Sequence, residues 1–455
     1  MKRIITIILA ALGIAASAQE FNTSYYSHTS VFRHQLNPAL LDSGHIAFLI
    51  GNINVGATGN VGLKNFVFDA PAGSTYKKTT FMHPSVSAGK FLGDLPSTVR
   101  LDNYININVL SVGFRAFGGN NVIEVNARSE SHVSVPDEVF GFMKETGKKE
   151  HYNLKDIAAR SVNYAELALG HSHKIDSKWT VGGKIKFLFG LAYANLDVNK
   201  LDVTMNGSNW IVDADAKGSL AVMKSKYNFK DEYTTDGRRR FKDLDVKGGL
   251  TGFGMAFDMG ATYKLDDDWT FSAALTDLGF INWSKAQKIS SHGRYDFDGF
   301  TDIYAGGSDN SKKLGTQFED LGDDLENLFS PGDDGTGSVS QGLAATLRLG
   351  AEYNLPVYRP LSFGFLFTQR FFGTFSYTQA MLSAGFRPAS WFEMNLNTAL
   401  GSTGLTAGGL MTLHAKGFNF FVGCDYFMPK LSKQFVPLSK ANASLNVGFN
   451  FPFYL

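Results

Sequence analysis

Three groups of residues in this 455-residue chain have types and spacing that suit chemistry. His171 and His173 stand two apart, on one face of an extended segment. That is half of a metal site, but no third ligand has a matching position, and the competing reading is a pair at a strand end. Acidic pieces at Asp266-Asp267-Asp268, Asp323-Asp324 and Asp333-Asp334-Gly335 have the charge for calcium, yet none has the ligand spacing of a calcium loop, so solvated turns explain them better. Gly237 to Lys242 (Gly-Arg-Arg-Arg-Phe-Lys) is a compact basic cluster suited to lipopolysaccharide phosphates or simply to a solvated loop. There is no nucleophile elbow, no phosphate loop, and no Ser, His and Asp set that spacing supports. The chain therefore reads as no enzyme, with no metal and no cofactor.

The other charges take their meaning from the elements that carry them. Thr251 to Lys264 alternates Phe253, Met255, Phe257, Met259, Ala261 and Tyr263 with Gly252, Gly254, Ala256, Asp258, Gly260, Thr262 and Lys264. One face is apolar and the other small or polar, with the two-residue period of a strand. Trp179 to Leu191, Leu343 to Asn354 and Leu361 to Phe371 repeat the pattern, as does Asn442 to Phe453 at the C-terminus. Further candidates run over 45–57, 104–117, 121–133, 161–173, 269–280, 374–387, 391–400, 405–414 and 417–427. In 104–117 the pattern slips near Leu110, the mark of a bulge. Most runs are long enough for a tilted membrane crossing. A charge facing lipid near the midplane costs a few kcal/mol. Glu124, Arg128, Glu130, Glu166, Lys184, Lys186, Asp258, Arg348, Glu352, Arg370 and Glu393 should therefore point into a lumen, where opposite signs cross-link and fill it.

At the N-terminus, Lys2 and Arg3 precede an apolar run from Ile4 to Ala15, and Ala16-Ser17-Ala18 supplies the small residues of a cleavage site before Gln19. Residues 1–18 thus read as a secretory leader. No other stretch approaches the roughly 20 apolar residues of a membrane helix. The single Cys424 excludes an internal disulfide, and its position excludes a lipid anchor at the cleavage point. With 48 Gly, 39 Phe and 17 Tyr, the composition suits a barrel with an aromatic lipid face and interfacial girdles. The balance of 43 basic against 42 acidic residues gives no reason to expect nucleic acid as a partner.

Connections sort into short turns and long loops that alternate. Short ones sit at Gly119-Asn120-Asn121, Asp176-Ser177-Lys178, Asp266-Asp267-Asp268, Tyr358-Arg359-Pro360, Pro388-Ala389-Ser390 and Ala415-Lys416-Gly417. Long ones span 58–102, 134–160, 281–342 and 428–441. In outer-membrane barrels short turns are periplasmic and long loops extracellular, so both termini should be periplasmic and the strand count even. Reading 178–204 as one strand gives 14, and an added hairpin over 192–204 and 209–221 gives 16. Helices are expected in the loops at 136–146, with Pro136 in the first turn, and at 316–329.

The C-terminal run resembles the assembly signal of bacterial outer-membrane barrels, through Asn446, Gly448, Phe451 and Phe453. It departs from the commonest form in Pro452 and in the two residues that follow Phe453. The resemblance implies the barrel-assembly machinery as a partner. Residues 19–44 contain Asn37-Pro38-Ala39, which resembles a motif of the long-chain fatty-acid transporter (FadL) family, whose N-terminal segment folds back into the barrel as a plug. More closely, the chain is similar to a domain-of-unknown-function family of such barrels, through Gln35 to Ala39, Tyr164 to Gly170, Val181 to Lys186, and Leu275 to Phe280 leading into Trp283. The likeness implies an all-β, membrane-spanning antiparallel barrel over 45–455, with 14 strands, a plug over 19–44 and outer-membrane residence. It implies transport of a small hydrophobic or amphipathic compound, or a non-transporting scaffold for a partner protein. A continuous apolar pocket or a lateral gap would favour the first, and a sealed lumen the second.

Overall fold

The computed structural model describes residues 21–42, 44–74, 78–145, 149–206, 209–234, 236–297, 331–402, 404–427 and 442–453. The leader, Asp323-Asp324 and the helix expected over 316–329 lie outside the described residues. Fourteen strands build one wall. The first seven are β1 (His45–Gly59), β2 (Thr98–Ala116), β3 (Gly119–Pro136), β4 (Ile157–Lys174), β5 (Trp179–Asn206), β6 (Gly252–Lys264) and β7 (Trp269–Phe297). The others are β8 (Ala345–Asn354), β9 (Leu361–Phe371), β10 (Tyr377–Ala389), β11 (Phe392–Gly401), β12 (Gly404–Ala415), β13 (Phe418–Cys424) and β14 (Ala443–Pro452). Each strand pairs antiparallel with the next, and β14 closes on β1 with Val447 opposite Ile53. Closure leaves no edge strand, which is what a wall in hydrocarbon requires. No helix among the described residues is long and apolar enough to cross a membrane, which says nothing of a barrel.

The choice between 14 and 16 strands is resolved by height. β5 runs unbroken for 28 residues and β7 for 29. The strand Asn209–Val222 pairs with the far part of both, from Ala192 of β5 and from Gln287 of β7 onward. It occupies the place that β6, starting at Gly252, leaves empty, so it extends the sheet beyond the wall and adds no crossing. Sequence patterning cannot see this, because a strand above the wall alternates like one within it.

Outward side chains are apolar, with Phe253, Phe257, Met259, Phe363 and Phe365 all exposed, while Asp258, Lys186 and Arg348 on the opposite face are buried. At the short-turn end, rings gather in cross-strand pairs, Trp179 on Tyr263 at 4.7 Å and Trp269 on Tyr353 at 4.8 Å, forming an aromatic belt. The slip near Leu110 is a bulge at Val109, between the pairs Asn108–Asn126 and Leu110–Val125. The turn expected at Gly119-Asn120-Asn121 lies two residues earlier. Phe117 and Gly118 take φ of 55° and 73°, the double left-handed reversal whose twist suits a hairpin. Gly119 already pairs with Ala116, and Asn121 spends its side-chain amide on the carbonyl of Ala116. The poor alternation of 374–387 has a similar cause, since Gly373–Phe375 is a 3-10 turn that buries Phe375 before β10 begins. Asp137–Lys144 forms a helix (α1) with Pro136 as its N-cap, one place earlier than the first-turn position expected, and its Phe142 packs on Tyr152 and Trp210.

Candidate functional site in the barrel interior

Residues 21–42 lie inside the barrel and are mostly buried. Short 3-10 turns at Asn22–Ser24, Val31–Gln35 and Pro38–Leu40 fold the segment compactly, and the wall is cut to receive it. Gly182 of β5 and Gly260 of β6 face each other across the ladder. A Cβ on Gly260 would stand 2.0 Å from Asn37 Oδ1, and one on Gly182 would stand 2.4 Å from the Pro38 carbonyl. This glycine pair is a flat seat for Asn37-Pro38-Ala39. Asn37 holds the turn itself, accepting from the Ala39 amide at 3.0 Å and donating to Tyr25 Oη at 3.0 Å. Gly364 likewise makes room for the ring of Tyr26, whose hydroxyl donates to the Phe365 carbonyl.

Carboxylates fix the first half of the segment. Asp425 accepts from the amides of Asn22 and Thr23, at 3.1 and 2.9 Å, and from the Thr23 hydroxyl. Burial pushes its carboxyl up to about 6, against the pull of those hydrogen bonds. Glu393 accepts from the amides of His28 and Thr29 and from the Thr29 hydroxyl, and Glu352 meets His28 Nε2 at 2.7 Å. Arg348 donates to Asn22 Oδ1 at 3.3 Å, to Thr276 Oγ1 at 3.1 Å and to the Leu36 carbonyl at 3.5 Å.

Behind the second half lies a denser set of ions. Lys184 Nζ meets Glu124 at 2.8 Å, and Gln35 donates to the same carboxylate at 3.0 Å. Lys186 Nζ is 2.7 Å from both Asp258 and Asp277. Arg128 bridges Glu166 at 3.3 Å and Asp277 at 3.2 Å. Arg370 pairs with Glu130, which His132 also approaches. Asp277 is a member of this cluster that strand alternation turns outward. A bulge puts it inside, because Thr276 and Asp277 together oppose Asp258, and Asp277 takes φ of 58°. The signal was present in the apolar phase, which switches from Phe271 and Leu275 to Leu278 and Phe280.

The wall itself is irregular beside the segment. β1 pairs with β2 through Phe48–Leu110 and again at Thr58–Asp102, with the register shifted between these pairs. Pairing of β1 with β14 also changes register between Ile46 and Asn52. Asn446 donates to Asn52 Oδ1 at 2.9 Å and to the Ile53 carbonyl at 3.5 Å, and Asn108 donates to the Leu110 carbonyl at 3.3 Å. Behind this stretch is a cavity of roughly 20 Å³, lined by Asn52, Asn54, Tyr104 and Asn106 of the wall, Phe32 and Gln35 of the segment, and Phe421 and Asn446. That volume holds about one water.

The remaining sequence candidates lie elsewhere. His171 and His173 stack at 6.0 Å near the end of β4, and His171 Nδ1 is spent on Asn121. Asp266 caps its own turn through the Asp268 and Trp269 amides, Asp267 pairs with Lys264, and Asp268 pairs with Arg359. In the basic cluster, Arg238 pairs with Asp236 and Asp334, and Arg239 with Asp333, so these charges are spent within the loops. At the C-terminus, Asn446 is interior, and a Cβ on Gly448 would meet the Gly51 carbonyl at 2.3 Å. Phe451 stacks on Phe48 at 5.5 Å, while the Phe453 amide donates to the Gly44 carbonyl at 2.7 Å.

Residues 38–425 match the profile of the family of unknown function DUF5723. The chain belongs to that family. The match begins at the Pro38 seat and ends at Asp425, so it takes in the ion pairs made by Lys184, Lys186, Arg128 and Arg370. No curated protein matches the chain in sequence. Among solved structures, the toluene transporter TodX of Pseudomonas putida is similar with a TM-score of 0.44 and 9% identity, over 94% of this chain and 95% of that one. The toluene transporter TbuX of Ralstonia pickettii gives 0.41 and 9%, over 93% and 94%. A FadL homologue of Pseudomonas aeruginosa gives 0.40 and 9%, over 92% and 93%. Likeness this distant carries no inference about this DUF5723 protein, whose barrel is read from its own strand pairing.

Proposed function

We propose that this DUF5723 barrel resides in the outer membrane and moves a small hydrophobic or amphipathic compound sideways through the β1–β2 wall. The observation that carries the reading is the irregular register between β1 and β2 with a cavity directly behind it. Backbone groups facing hydrocarbon need partners within the protein. Here the Asn108 amide donates to the Leu110 carbonyl within β2, beside the Val109 bulge, and the Asn446 amide donates from β14 to the Ile53 carbonyl of β1. The lining combines rings of Phe32, Tyr104 and Phe421 with amides of Gln35, Asn52 and Asn106, which suits a compound with one apolar face and a few polar groups.

In this reading residues 1–18 are a leader and 19–44 a plug seated through Asn37, Pro38 and Ala39. Both termini face the periplasm. Glu166, Lys184, Lys186, Asp258, Arg348, Glu352 and Glu393 cross-link the lumen so that no wide aqueous pore exists. The assembly machinery reads Asn446, Gly448, Phe451 and Phe453. No enzymatic step is involved. The test replaces Tyr104 with azidophenylalanine, irradiates cells, and weighs the purified protein. A covalent small-molecule adduct supports the reading. Cross-links confined to the chain's own segment 21–42 count against it.

A second reading, a scaffold for a partner protein, is favoured by a different observation. The interior is filled at the level of the segment, and β5, β7 and Asn209–Val222 raise a structured sheet beyond the wall, braced by α1. A stoichiometric protein companion with no bound small molecule would support it.

A further inference from the structure

The second half of the interior segment is held by a contact that is poorly satisfied. His34 is fully buried, and neither ring nitrogen has a hydrogen-bond partner among the described residues. Its ring stacks on that of His45, the first residue of β1, with centroids 6.3 Å apart. One imidazole therefore belongs to the segment and the other to the wall. We infer that this pair makes the seat of residues 31–41 acid-labile: protonation of the stacked imidazoles drives that half of the segment off the wall while the barrel stays folded. The inference rests on the packing of 21–42 and is independent of transport.

The charges around the pair decide the sign. Glu124 of β3 is 3.7 Å from His34 Nε2, but Lys184 of β5 already neutralises it at 2.8 Å. On the segment itself, Arg33 and Asp42 face each other at 3.2 Å, and His45 Nε2 meets the Ser111 hydroxyl of β2 at 2.9 Å. With both imidazoles neutral the cluster is balanced. Each added proton brings an unpaired positive charge next to Lys184 and next to the other ring. Burial first, and Lys184 second, hold the His34 imidazole well below its ordinary value, while Glu124 pulls the other way. A base whose value is depressed in the seated state takes up its proton on release. The seat is therefore at full strength above about pH 6.5 and weakens as pH falls, by at most about tenfold per pH unit for one proton. Asp425, at the far end of the segment, has a raised carboxyl and so works in the opposite sense, holding 21–24 no less firmly in acid.

Hydrogen exchange of the full-length protein in mild detergent, at about pH 7.5 and about pH 5 and corrected for intrinsic rates, reads both halves at once. Protection over 31–41 should fall roughly ten- to thirtyfold at the lower pH. Protection over 21–24 and over β3 should hold. His34→Phe, which keeps a flat ring and removes the titration, should abolish the change, and His34→Gln serves as a second variant should Phe crowd the site. Equal protection of 31–41 at the two pH values in the wild type overturns the inference, as does an unchanged acid response in a folded His34 variant. A loss that includes β3 would mean general unfolding and would also overturn it.

Discussion

Lys186 holds two buried carboxylates at once, so neutralising it takes the contacting ammonium from Asp258 and leaves Asp277 to Arg128. Lys186→Met should cost about 3–5 kcal/mol, the usual penalty for breaking one side of a buried pair. Urea unfolding in lipid vesicles measures it, and adding Asp258→Asn should recover part of the loss. Asp425 gives a pH signature of its own. Its carboxyl, at about 6 against an ordinary 3.8, binds its proton more tightly in the folded chain. The associated stability is present below pH 3.8 and lost as pH rises through about 6, a change of up to about 3 kcal/mol. Thermal unfolding of Asp425→Asn should be flatter than the wild type across that window. The two-residue period makes the inner face readable wherever a strand is regular, and it fails at Asp277, where a bulge turns an odd position inward. His34 and His45 carry no pattern at all in the sequence. Only the folding of the segment onto the wall brings them together, and one-dimensional spacing does not encode that.

Among elements, the seat formed by Gly182 and Gly260 is the most exacting fit. Gly260→Ala sets a methyl 2.0 Å from Asn37 Oδ1, which must move the segment, since the opposing atoms are its turn-forming side-chain amide and the Pro38 ring. The expected cost is about 1–3 kcal/mol. It should show as faster protease cleavage within 31–41, with the heat-dependent gel mobility of a closed barrel retained. The bulge at Val109 offers a register test. Deleting that residue should leave both arms of β2 in register with β3, since Asn108 and Leu110 would then stand consecutively opposite Asn126 and Val125, and the folded, heat-sensitive band should persist. The wall strands were legible at this scale because they alternate strongly, but their number was not, because Asn209–Val222 alternates like one of them. The turn at Phe117-Gly118 was not, because Gly-Asn-Asn beside it has the more obvious turn composition, and the backbone twist of the hairpin outweighs that preference.

For the whole molecule, two facts pull in opposite directions. The interior is packed by residues 21–42 and by cross-linked ions, leaving a cavity of roughly 20 Å³ behind the irregular stretch of the wall. A compound can pass only if the segment or the β1–β2 wall yields, so conduction is expected to be slow and selective, with no steady ion current through a resting pore. The composition indicated a barrel, but not what fills it, since filling depends on contacts between residues hundreds of positions apart, such as Asn22 with Asp425. Native mass spectrometry of the protein drawn from its own outer membrane in mild detergent tests the transport account most directly. The account predicts a small-molecule adduct that survives release and is lost when Asn106→Leu removes a polar wall of the cavity. A bare chain, or a stoichiometric protein companion with no adduct, would contradict it.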